Sequence, residues 1–196
     1  MAETSGATTA TREVRVPETG VWEFDKAHTS ITIKARHMMV TRVRGHFKEL
    51  SGNIHVAERP EDSWVEATIQ AASIDTGDPR RDDHMRSADF MDVAAYPEIA
   101  YRSTGFEVRG ETRLRVTGDL TVHGITKPIQ LDVEYRGRTT SPWGQDIIAF
   151  TAEGEMDREE FGMTWNQALE TGGFLVGKKL KLEIEVEGLR AKDESA

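Results

Sequence analysis

The chain has 196 residues, 37% of them hydrophobic and 30% charged, which suits one sizeable domain around a single core. A net charge of −9 argues against a nucleic-acid partner and, by the same reasoning, against anionic membrane surfaces. The absence of cysteine excludes disulfides, thiolate metal sites and cysteine nucleophiles.

Residues 1–17 lack apolar periodicity and read as a disordered tail. They show neither the basic nor the apolar region of a secretory signal, and no apolar run approaches the roughly 20 residues of a membrane helix, so a soluble cytoplasmic protein is expected. One domain spans 18–190, with a second tail over 191–196.

Within the domain, apolar and polar residues alternate with period two. Trp22 and Phe24 open the series. Ile31, Ile33 and Ala35 follow, then Val43, Gly45 and Phe47, then Ile54 and Val56. Val65, Ala67, Ile69 and Ala71 make the next run, and Ile99 with Tyr101 another. Leu114 to Val122, Ile129 to Tyr135, Ile148 to Met156 and Leu180 to Val186 complete it. Such half-buried strands suit antiparallel sheets, and many in succession predict an all-β barrel or sandwich.

Two segments break the alternation. In "DPRRDDHMRS", Asp78 is an N-cap and Pro79 a first helical residue, predicting a helix over 79–87. In "EEFGMTWNQALETGG", a short helical turn closed by Gly172 is expected. Both would sit over a barrel mouth.

His28, His37, His46 and His55 recur every nine residues. Nine is odd, so strand alternation scatters them. His37 points inward, His46 and His55 point out, and His28 sits in a turn. Metal ligands must converge, so no metal site is expected. No nucleophile elbow, zincin motif, P-loop or dinucleotide fingerprint is present. The cluster Asp82, Asp83, His84, Asp89 and Asp92 has the residue types for acid–base work, but mixed charges on an exposed helix are its commoner explanation.

Several blocks then match a known pattern. "VWEFDKAHTSITIKARHMMVTRVRGHFKELSGNI" carries Trp22, Asp25, His28, Ile31, His37, Met38, Val43, Gly45, Phe47 and Gly52 at spacings that resemble the opening motif of the YceI-like, or polyisoprenoid-binding protein, family. "SIDTGDPRRDDHMRSADFMDVAAYPEIAYRST", "GDLTVHGITKPIQLDV", "DREEFGMTWN" and "GKKLKLEIEVE" resemble its later blocks, in order, over about residues 20–188.

The resemblance implies a lipocalin-like antiparallel β-barrel of about eight strands with one or two short helices near the mouth. It also implies a long-chain isoprenoid lipid or isoprenoid quinone held inside, with no further cofactor, and, since relatives often form dimers, a homodimer. The expected ligand contacts are Trp22, Phe24, Ile31, Ile33, His37, Met38, Phe47 and Ile69 from the first half. Met85, Phe90, Leu120, Leu131, Phe150, Trp165 and Ile184 complete the set, with a polar head group meeting His37 or Arg86 at the mouth. Small inward residues at Ala35, Gly45, Ala67, Ala71, Gly118, Ala152 and Gly154 would leave room along the axis. Three readings stand: a non-catalytic lipid carrier, an enzyme acting on such a lipid through the Asp/His cluster from Asp82 to Asp92, and a ligand-free stress-response or interaction module whose aromatics fill the barrel.

Overall fold

A computed structural model describes residues 17–170 and 172–191. The expected tails lie outside the described residues, except for Pro17 and Ala191. The latter donates its N–H to Val21 O at 3.0 Å.

The strands are β1 (Gly20–Phe24), β2 (Ser30–His37), β3 (Thr41–Phe47), β4 (Leu50–Val56), β5 (Trp64–Gln70) and β6 (Ile74–Asp75), then β7 (Glu98–Val108), β8 (Arg113–Val122), β9 (Ile125–Thr140), β10 (Asp146–Asp157) and β11 (Val176–Arg190). All pair antiparallel, and β1 closes the sheet on β11 with Trp22 opposite Arg190. Successive strands share neighbours. β11 pairs β1 along its last residues and β2 along its first. β4 and β3 pair with β1 and β2 in the same way, and β5 and β6 with β4 and β3. The eleven segments therefore form a closed barrel of eight staves, three of them broken at one level.

The breaks keep their backbone groups paired, as buried backbone must. Thr29 N donates to Asp25 O at 2.8 Å, and Asp25 N to Glu187 O at 2.8 Å. Lys48 N and Glu49 N reach Ser73 O and Ser73 Oγ. Beyond β6 the chain enters a helix that packs against it. This α1 (Pro79–Arg86) starts as expected, with the Asp78 carboxylate accepting from Arg80 N and Arg81 N. The second expected helical turn forms earlier than the sequence suggests. Arg158–Phe161 is a single 3-10 turn ended by Gly162 at φ 78°, not by Gly172, because Gly162 already supplies the left-handed residue that closes a helix. No described helix is long and apolar enough to cross a membrane.

One end of the barrel carries α1, the β2–β3 turn, the β8–β9 turn and residues 158–175. The other carries Pro17, the 57–63 loop and the β7–β8 and β9–β10 hairpin tips.

Candidate ligand cavity

Period-two alternation sends one side chain in two to the axis, and the interior they enclose is not filled. A cavity of about 220 Å³ runs along the barrel, lined almost wholly by carbon. Every strand except β6 contributes to it. At the helix end Met91 and Met163 close it, both buried. At the other end it reaches Pro17, Ala57 and Pro60, which are half-exposed.

The space comes from two of the seven small residues. Ala67 and Ala152 line the cavity. Gly118 does not open it: a Cβ there would lie 2.4 Å from Tyr101 Oη, so the glycine makes room for a phenol. Gly45 is covered by Thr76 and Ile74, and Gly154 by Leu131. Ala35 and Ala71 are absorbed by core packing. Tyr101 itself lines the cavity, and its hydroxyl is buried without a hydrogen-bond partner. Burial, aided by the Asp119 charge, pushes its pKa up to about 12.

Of the expected contacts, Phe24, Ile31, Ile33, Phe47 and Ile69 line the cavity, as do Met85, Leu120, Leu131, Phe150 and Ile184. The other five lie elsewhere. Trp22 is fully buried under the Arg190 guanidinium, 5.1 Å from its ring, and donates its indole N–H to Glu18 O. His37 ends β2 and Met38 is in the exposed turn after it. Phe90 and Trp165 pack on each other and on His84, beyond the closed end. Arg86 donates to Ala72 O and Ile74 O, tying α1 to the stave beside it.

The acidic side chains of α1 are spent on structure. Buried Asp82 accepts from Thr76 N at 2.8 Å and Thr76 Oγ1 at 2.6 Å. Asp83 pairs with Arg86, and His84 with Asp89 at 2.9 Å. Neither Asp83 nor His84 lines the cavity.

Two groups escaped sequence reasoning. His28 Nδ1 lies 2.8 Å from Asp25 and 3.2 Å from Glu187, across the seam where β1 breaks into β2. The Asp25 hydrogen bond, then its charge and that of Glu187, raise the His28 pKa, while the His28 bond chiefly lowers that of Asp25. Asp25 and His28 are visible as a D-x-x-H pair, but Glu187 is far along the chain. The second group is Arg158, buried between Gly177 O, which its Nε reaches at 3.1 Å, and Met163 O. Its other terminal nitrogen has no partner, and burial lowers its pKa.

A closed eight-stave antiparallel barrel with an unfilled apolar interior defines a class of small-molecule binding folds. Within that class, a YceI-like domain matches residues 22–188. A UPF0312 protein of Staphylococcus aureus is 36% identical over 169 residues, covering 84% of this chain and 94% of that protein. The chain belongs to the YceI-like family. Among solved structures, Burkholderia cenocepacia BcnA aligns with a TM-score of 0.73 at 20% identity, over 84% of this chain and 98% of that one. A polyisoprenoid-binding domain from Saccharophagus degradans, implicated in plant cell wall breakdown, aligns at 0.64 and 15% identity, over 89% and 100%. Both share the fold.

Proposed function

We propose that the protein binds and carries, or sequesters, a long-chain isoprenoid lipid or isoprenoid quinone inside the barrel, without catalysing its conversion. The observation that carries this reading is the cavity. It is apolar from end to end and is supplied by almost every strand. Each buried CH₂-sized group contributes roughly 0.8 kcal/mol, so one five-carbon isoprene unit grosses about 4 kcal/mol before the cost of ordering the chain. Affinity then grows with the length buried and needs no polar contact. The polyisoprenoid-binding description of the Saccharophagus degradans domain supports the same class of ligand.

The test is native mass spectrometry of protein purified from its own host, followed by organic extraction and lipid identification. A stoichiometric isoprenoid released only on denaturation is expected. Protein that arrives empty and fails to take up added polyprenyl lipid would refute the proposal.

A further inference from the structure

The net charge of −9 hides an uneven distribution. Much of the outer wall pairs its charges: Arg115 with Asp132, Lys181 with Glu153, Arg102 with Glu66. The β2–β3 hairpin does not. Its outward positions set Arg36 opposite Arg42 and Lys34 opposite Arg44. Like charges directly opposite across strands are destabilising. Lys34 is answered by Glu183, but among the described residues Arg36, Arg42 and Arg44 have no carboxylate partner.

The tip of the same hairpin is apolar. Met38 is 46% exposed, Met39 50% and Val40 85%. Met38 and Met39 hold φ of 48° and 64°, left-handed backbone that costs roughly a factor of ten in conformational population per residue and that glycine or asparagine would adopt more readily. Met38 N donates to Leu175 O at 2.8 Å, which sets Phe174, 51% exposed, beside the tip. Two chain segments thus join four exposed apolar side chains to three free guanidinium groups.

We infer that this end of the barrel docks on a lipid bilayer bearing anionic head groups. Guanidinium forks match phosphate, and Met, Val and Phe enter the acyl boundary behind it, the division of labour of an interfacial anchor. Local charge prevails over net charge because the nearby carboxylates Asp83 and Asp89 are paired with Arg86 and His84, and salt screens charges beyond about 8–10 Å. The face so presented also holds the methionine-lined end of the cavity, where Met85, Met91, Met156 and Met163 give adaptable walls. Docking itself follows from the hairpin and does not depend on the identity of any cargo.

Vesicle flotation of the full chain tests it, using phosphatidylcholine vesicles with and without phosphatidylglycerol, at low and high salt. The protein is expected to float with the phosphatidylglycerol vesicles at low salt and to release at high salt. The triple variant Arg36→Gln, Arg42→Gln, Arg44→Gln should bind roughly a hundredfold more weakly, at about a factor of five for each of the three cations lost near the surface. The double variant Met38→Asn, Met39→Asn relieves the left-handed strain, so it should fold at least as well and still lose binding. No flotation of the wild type overturns the inference. So does unchanged binding in either variant, or equal competition by polyglutamate, which carries charge without acyl chains. Vesicle binding with no lipid uptake would leave docking standing while the carrier proposal fell.

Discussion

Ala152 faces the cavity from β10, and the open space beyond its methyl group gives a direct test of the interior. At about 24 cal/mol per Å³, an empty cavity of 220 Å³ represents about 5 kcal/mol of unrealised packing. Ala152→Leu adds three carbons to that space. Their burial contributes about 2.4 kcal/mol, less about 0.5–1 kcal/mol of side-chain entropy, leaving roughly 1.5–2 kcal/mol. For a chain of this size that raises the Tm of ligand-free protein by roughly 3–8 °C. The same three carbons occupy space a ligand would use, so affinity for a polyprenyl lipid should fall about tenfold to thirtyfold. Differential scanning calorimetry and a fluorescent-polyprenol displacement assay read the two effects. A lower Tm would mean the interior is already packed. A higher Tm with unchanged uptake would mean that lipid binds elsewhere.

The His28 seam should make stability depend on pH. The raised His28 pKa adds stability that is full below about 6.5 and fades as pH rises through the folded value. The lowered Asp25 pKa adds stability that is full above about 3.8 and is lost as pH falls through its folded value. Denaturant midpoints should therefore show their largest seam contribution between those two values, and His28→Gln should remove the alkaline limb and shrink the acid limb with it, since the His28 bond is the chief cause of the lowered Asp25 pKa. Gly118→Ala drives a methyl into the Tyr101 phenol and should cost about 1–3 kcal/mol by urea titration, recovered when Tyr101→Leu is added. A spectrophotometric titration should find one of the three tyrosines ionising only near 12, and Tyr101→Phe should abolish that step. Asp82→Ala orphans Thr76 N and should cost about 1–3 kcal/mol, loosening α1 without altering lipid uptake.

The staves were legible because alternation is a local signal. Ile31 and Ile33, or Leu180 and Leu182, declare their face within a few residues. Asp78 and Pro79 marked the start of α1 in the same local way. The breaks were not legible, since "FDKAHTS" and "FKEL" interrupt a strand only in view of the neighbours that share its pairing. The site was half legible for a related reason. Parity tells which side chains face inward, but not how far along the axis the space extends. Trp22 and Phe90 are buried, and Trp165 half-buried, at places the cavity does not reach, while Ala152 and Ile184 face open volume. Nor does sequence distinguish a glycine that leaves space from one that accommodates a phenol, as Gly118 does.

Because Trp22 to Phe24 pair along their second edge only with Gly188 to Arg190, the first stave of the barrel waits for the last. During synthesis nearly all of the apolar inner wall exists before anything can seal it. The final ladder must be assembled across almost the whole length of the polypeptide, an arrangement associated with slow folding and exposure to aggregation. The closing seam is thus both the last part of the wall to form and the place where losing a few residues would leave two unpaired strand edges around a hollow interior.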